Sequence, residues 1–263
     1  MDFSKTCFDW ASSFYDYSRA VPDDLINKIS IILKKHIEIL STSKILEVGV
    51  GTGRIAIPLS KKLNITTIGV DISYKMLQKC HTKIKSSNSL QLLLADALSL
   101  PFSNTQFDVI LTCHLLHLLP NIFDFIKNLK PILVRHGYFI NLEAYINFHQ
   151  TIPFVIYYGK LAENGFHHIF RGDIVRRSLI IYLTRKGWSH TQYVVESNRY
   201  ILMNDLVRFI RERVFSHQRA IADDLHLRSL EYLNMEIERK IIDLSEEVIV
   251  PATSRINIFQ CPN

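Results

Sequence analysis

The chain has 263 residues, 48% hydrophobic and 21% charged, enough for the core of one large α/β domain or a compact domain with an appendage, and too apolar for global disorder. No apolar stretch reaches the ~20 residues that span a bilayer, and the first ten residues lack a basic segment followed by an apolar run, so a soluble cytoplasmic protein is expected. The net charge of +6 gathers late in the chain, but those arginines alternate with apolar positions as solvated helix faces do, which disfavours nucleic acid as a partner.

Residues 1–41 read as N-terminal helices. Leu25, Ile29, Ile32, Leu33 and Ile37 recur at three- and four-residue steps, and Pro22 with Asp23 and Asp24 makes a good helix start. From 42 onward, strands are expected at Lys44–Val48, Thr66–Asp71, Leu90–Ala95, Phe107–Thr112 and Gly137–Leu142. Helical stretches fall between them at about Arg54–Leu63, Tyr74–Ser86 and Ile122–Leu133. Apolar strands separated by helices predict a parallel sheet covered on both faces, hence a doubly wound, Rossmann-like α/β core over 42–198.

The stretch from Tyr145 to Gly172 is rich in aromatics and histidine and reads as a loop. Phe148, Phe154, Tyr157, Tyr158, Phe166 and Phe170, with His167 and His168, suit equally the wall of a lipophilic pocket or a hydrophobic core. A helix over Asp173–Lys186 ends at Gly187, and a strand follows at about Gln192–Glu196. Helices at Asn204–Phe215 and Ala220–Glu247 form a helical cap inserted over 199–251. Pro251 breaks the helical pattern, and Arg255–Gln260 supplies the last strand within 252–263.

Cys7, Cys80, Cys113 and Cys261 are scattered without CxxC spacing, so neither a disulfide framework nor a metal is expected. The informative run is EVGVGTG, with Glu47, Gly49, Gly51 and Gly53 between a buried-type strand and a helix. A tight strand-to-helix turn needs one or two glycines. Three at alternate positions let the backbone approach a ligand and aim free N–H groups over a helix start. A dinucleotide fingerprint would need a glycine where Arg54 stands, and Glu47 is a poor neighbour for a diphosphate.

The ordered set of 44–54, Ile68–Asp71, Ala95–Ala97 and Phe107–Pro120 resembles the motif series of class I S-adenosylmethionine-dependent methyltransferases. The group it is most similar to is the small-molecule, ubiquinone/menaquinone-biosynthesis type. The resemblance covers roughly residues 8–145 and implies a seven-stranded sheet whose last strand is antiparallel. It implies S-adenosylmethionine as cofactor and a small-molecule methyl acceptor; the aromatics after Tyr145 slightly favour a partly apolar (lipophilic or aromatic) acceptor over a small polar acid.

By position, the resemblance puts Gly49, Gly51 and Gly53 along the methionine part of the cofactor, Glu47 near its amino group, and Asp71 on the ribose hydroxyls. Ile72 and Met76 would pack on adenine, Asp96 and Ala97 would meet its edge, and Cys113 and His114 would sit beside the reactive methyl. The segment from Phe8 to Arg19 resembles a closing cap helix, with Tyr15 or Tyr17 over the sulfonium and Arg19 on the carboxylate. His114, His117, Glu143, Tyr145 and His149 are candidate acid–base groups at the carboxyl edge of the sheet.

The segment TCHLLHLLP lacks the [DN]PP[YF] signature of enzymes acting on planar amino groups. That counts against the rival of an RNA or protein methyltransferase. A protein of this fold that binds the cofactor without methyl transfer is the other alternative.

Overall fold

The computed structural model describes residues 8–262, apart from 13, 20, 22, 85–89, 105 and 167–170. Cys7, Pro22, His167, His168 and Phe170, named above, lie outside the described residues. The chain divides into two compact units. One gathers the chain up to Ala144 with Arg171–Val195 and the stretch from Ser254; the other gathers the stretch from Tyr145 with Glu196–Thr253.

Seven strands make one sheet: β1 Lys44–Val48, β2 Thr66–Asp71, β3 Leu90–Leu94, β4 Phe107–Cys113, β5 Leu133–Ile146, β6 Ser189–Leu202 and β7 Glu247–Gln260. Their order is β3-β2-β1-β4-β5-β7-β6, and β1 to β5 pair in parallel. The Cys261 amide donates to the Gly137 carbonyl and the Asn147 amide to that of Pro251, both at 2.9 Å. Partners on β7 therefore fall in number as those near β5 rise, which makes β7 antiparallel. The expected seven-stranded mixed sheet is the observed one.

In the first unit β1, β4 and the middle of β5 are buried on both faces, so alternate residues feed opposite layers. Ile45, Val109, Leu111 and Ile140 pack with Leu25, Ile29 and Leu33 of α2 (Asp23–Lys35). Leu46, Val48, Ile110 and Phe139 pack on the other face with Phe125 and Leu129 of α5 (Ile122–Leu129) and Leu179 and Leu183 of α7 (Arg171–Arg185). The remaining helices up to that point are α1 (Tyr15–Ser18), α3 (Ala56–Leu63) and α4 (Tyr74–Lys83). Local signals set their ends. Ser73 accepts the Met76 amide as N-cap of α4, Asn121 accepts that of Phe123 at α5, and Asn64 closes α3 in the left-handed conformation.

The second unit departs from the sequence expectation. Within the stretch read as a loop, α6 spans Ile152–Glu163, with Pro153 in its first turn. It is joined by α8 (Met203–Arg211) and α9 (Asp223–Glu238). The last helix ends nine residues short of the expected Glu247, after which Lys240 turns left-handed at φ 60°. Pro251, read as a break between elements, sits inside β7. The unit also takes in the stretch after Tyr145, a wider set than the 199–251 insertion.

Among the described residues, Phe148, Phe154 and Tyr157 are buried in this unit's core. The ring of Phe148 lies 5.7 Å from those of Phe154 and Phe209 and 5.3 Å from that of Phe215. Tyr157 is fully buried, its hydroxyl 2.5 Å from His226 Nδ1. A buried phenol keeps such a partner because an unmade hydrogen bond costs more than a made one gains.

Candidate functional site

The site lies at the carboxyl ends of β1, β2 and β4 and is built entirely from the first unit. After β1 the chain turns through Gly49, Gly51 and Gly53, all with positive φ (77°, 55° and 77°). The amides of Gly49 and Val50 donate to the Val70 carbonyl at 2.8 and 2.9 Å, tying the loop to the end of β2. Asp71 completes the hold. Its Oδ2 accepts the Gly51 amide and its Oδ1 that of Ser73, both at 2.8 Å. One carboxylate thus fixes the loop and the start of α4, and burial still raises its pKa.

The two outer glycines meet different neighbours from the middle one. A Cβ on Gly53 would come within 2.5 Å of Cys80 Sγ, and one on Gly49 within 3.2 Å of Leu115. A Cβ on Gly51 meets nothing within 4 Å. That open side faces a cleft, partly open to solvent, lined by the ends of β1, β2 and β4.

Ten of the sixteen predicted site residues line this cleft: Tyr15, Gly49, Gly51, Asp71, Ile72, Met76, Asp96, Ala97, Cys113 and His114. Ile72 is 45% exposed there, an apolar side chain with no covering neighbour to hide it. Asp96 is exposed, with Oδ1 accepting the Leu98 amide at 2.8 Å. Leu115, Leu118, Leu119 and Phe8 add an apolar wall.

The other six lie elsewhere. Gly53 is pressed against α4, as above. Glu47 is buried behind the loop, accepts the Ala56 amide at the start of α3, and interacts with Arg54; burial pushes its pKa up to about 8. Arg19 is half-buried, its carbonyl accepting from Arg54 Nη1. His117 sits on the turn Leu116–Leu118, its ring 6.5 Å from that of His114. Glu143 is ion-paired at 3.0 Å with Arg176 of α7. Tyr145 belongs to the second unit, as does His149, which is exposed.

Glu47 gives a pH prediction. A carboxyl with an ordinary value near 4.5 when unfolded and about 8 when folded takes up a proton on folding between those limits. It therefore removes stability as pH rises from about 4.5 to about 8. Glu47→Gln keeps an acceptor for Ala56 and abolishes this loss. Urea unfolding at pH 5 and pH 8 should show the variant gaining on the parent by up to several kcal/mol, at about 1.4 kcal/mol per tenfold in proton affinity. An unchanged gap would show that Glu47 is already ionised at low pH.

The segment before α2 is bonded to the loop. Asp16 accepts from the Thr52 hydroxyl and pairs with Lys83 at 2.8 Å. The Arg54 guanidinium lies 4.7 Å from the Tyr15 ring centroid. Tyr15 therefore already has a cation on its ring.

A second polar chain runs behind the cleft. Thr112 donates to Asn141 at 3.1 Å, Asn141 donates to Glu143 at 3.2 Å, and Arg176 bridges Glu143 and Asp173 at 3.0 and 2.7 Å. Sequence reasoning missed Arg176 and read it as part of a solvated helix face. Its only signal was a charge inside an otherwise apolar run. Among the described residues no group of three or more His, Cys, Asp or Glu is placed to hold a metal, and no helix is long and apolar enough to cross a membrane.

This sheet order, with a glycine loop at its switch point, is the fold of class I S-adenosylmethionine-dependent methyltransferases. The family described as "Methyltransferase domain" matches residues 46–141. Over 112 residues the chain is 35% identical to the demethylmenaquinone methyltransferase of Staphylococcus saprophyticus, covering 42% of this chain and 48% of that protein. The chain thus spans about half the length of the curated relatives it matches. Among solved structures, YcgJ of Bacillus subtilis matches with a TM-score of 0.59 at 15% identity, over 92% of this chain and 100% of that one. A methyltransferase from Thiobacillus denitrificans in complex with S-adenosylhomocysteine matches with 0.55 at 13%, over 97% and 98%. Residues 46–141 are thus similar to a methyltransferase domain, and the chain shares the fold of these solved structures.

Proposed function

We propose that this chain is an S-adenosylmethionine-dependent methyltransferase acting on a small, partly apolar acceptor. The observation that carries the reading is the cradle at Gly51: left-handed backbone, an amide held by Asp71, and open space where a side chain would stand. Gly49 and Gly51 would run beneath the methionine part and Asp71 would take the ribose hydroxyls, since a carboxylate keeps lone pairs for two adjacent donors. Ile72 and Met76 would cover the adenine, with Asp96 and Ala97 at its edge. The relative's printed name and the leucine wall support a lipophilic acceptor, quinone-like in kind. Free Cys80, Cys113 and Cys261 accord with a cytoplasmic location.

When bound, the cofactor supplies an activated methyl group for in-line displacement. The chain's part is to align the acceptor, exclude water and settle its charge. Cys113 and His114 end β4 at the cleft and would border the reacting carbon.

Thermal shift tests the reading. S-adenosylmethionine and S-adenosylhomocysteine should each raise the melting temperature, whereas NAD should not. Gly51→Val should abolish that shift while its circular dichroism stays that of the parent, because the new side chain enters the cleft and not the core. An unaltered shift in this variant would remove the cradle assignment. Labelled cofactor incubated with fractionated extract then separates methyl transfer from binding alone: no label in any product fraction would favour the non-transferring alternative.

A further inference from the structure

The outer face of α7 carries a pattern that the cleft does not use. Leu179 and Leu183 point into the core, so residues half a turn away face outward. Ile174, Arg177, Ile181 and Arg185 follow one another there at steps of three, four and four, one line along the helix. The two isoleucines are 58% and 51% exposed, and both arginines are exposed. Among the described residues, neither arginine takes part in an ion pair. A lone exposed apolar residue is ordinary; two lined up between unpaired cations make a surface with two chemistries.

Neighbouring α5 extends the patch. Phe123 is 37% exposed, its ring 4.6 Å from that of Tyr182. Lys127 stands one turn further along the same side, and Lys130 is exposed beyond it. Two carboxylates at the patch are already offset, Asp124 by Lys127 at 3.2 Å and Asp173 by Arg176 at 2.7 Å. Arg177, Arg185 and Lys130 are left as excess positive charge.

We propose that this outer face of α5 and α7 is a docking surface for an anionic lipid bilayer. A soluble polyanion would match the arginines and leave the isoleucines in water. An apolar groove would bury the isoleucines beside unpaired guanidinium groups, at a cost. A bilayer surface meets both: branched side chains enter the boundary between headgroups and acyl chains, while the longer arginine stems lie alongside and hold their heads at the phosphates.

The patch borders the cleft. The turn Leu116–Leu118 packs on α7, and Leu118, Leu119 and Pro120, which line the cleft, lead directly into α5. Lipid on this face would therefore stand beside the leucine wall, a short way from the cleft for an apolar acceptor. That last step rests on the methyltransferase reading; the docking itself does not.

The test is flotation of the whole chain with vesicles of phosphatidylglycerol and phosphatidylcholine in equal parts, or of phosphatidylcholine alone. The chain should float with the first and stay behind with the second. Salt at about 1 M, where screening acts within ~3 Å, should release it. Arg177→Glu combined with Arg185→Glu should lower partitioning more than about tenfold, since each cation near an anionic surface contributes about fivefold. Ile174→Ser combined with Ile181→Ser should lower it by a similar factor at unchanged charge. All four positions are exposed and outside the cleft lining. The melting temperature of both pairs, and its response to S-adenosylhomocysteine, should therefore stay parental, which separates lost docking from lost folding.

Equal flotation with both kinds of vesicle, flotation with neither, or parental flotation of either variant pair would overturn the proposal. So would a dimer of the chain alone, seen by light scattering and disrupted by both pairs, which would assign the face to a second copy. Failure of S-adenosylhomocysteine to stabilise a chain that still floats would remove the methyltransferase reading and leave the docking surface in place.

Discussion

Alanine at Gly53 is expected to damage the fold itself, whereas alanine at Gly51, two residues away, should spare it. At Gly53 the added carbon meets Cys80 Sγ at 2.5 Å and the Ile57 side chain at 2.7 and 2.9 Å, on a backbone with φ 77°. The left-handed conformation costs an L-residue about 1–2 kcal/mol, and overpacking adds about 1–3 kcal/mol. Together these approach a large part of the ~5–15 kcal/mol by which a domain is stable. At Gly51 only the backbone cost applies, because nothing lies within 4 Å. Denaturant midpoints of the two variants should therefore differ clearly. Equal midpoints would mean that the loop does not pack on α4 as described.

The second large effect concerns Arg176. Arg176→Met should destabilise the protein by about 3–5 kcal/mol, because it strands the Glu143 carboxylate among buried groups. Pairing it with Glu143→Leu should recover most of the loss, since an apolar pair of similar volume replaces an ion pair at little cost. A double-mutant cycle read by urea unfolding measures the coupling. Additive losses would show that the two side chains do not depend on each other. The cycle also bears on catalysis: Glu143→Gln keeps an acceptor for Arg176, so near-parental turnover in that variant would confirm Glu143 as a positioning group.

The difference between what sequence revealed and what it hid has a physical basis. β1, β2, β4 and the heart of β5 are continuous apolar runs because both faces are buried, so periodicity and composition agree there. β6 and β7 were read too short because their outer residues are largely exposed or half-buried and carry charges, and because a proline argues against an interior strand. α6 went unseen because Phe154, Tyr157, Tyr158 and Leu161 looked like a cluster of aromatics, although their three- and four-residue spacing is helical.

At the site, residue types at the strand ends were legible, but their directions were not. Glu47 stands two residues before the glycine turn, yet its carboxylate turns inward to the Ala56 amide. The His114–Ala144 and Glu143–Arg176 contacts join residues 30 and 33 positions apart. Such pairings depend on tertiary closure and leave no local signature.

The double grip of Asp71 on Gly51 and Ser73 also bears on the thermodynamics of ligand capture. With those amides tied, the cradle is ordered in the empty protein, and the entropy of ordering it is spent during folding instead of at the encounter. On the proposed function, capture would resemble filling a rigid mould: the ligand's hydroxyls would approach oxygens already aligned by the backbone. The Gly51 and Ser73 amides should exchange with solvent hydrogen slowly even without ligand, so that the fidelity of this corner is inherited from the fold.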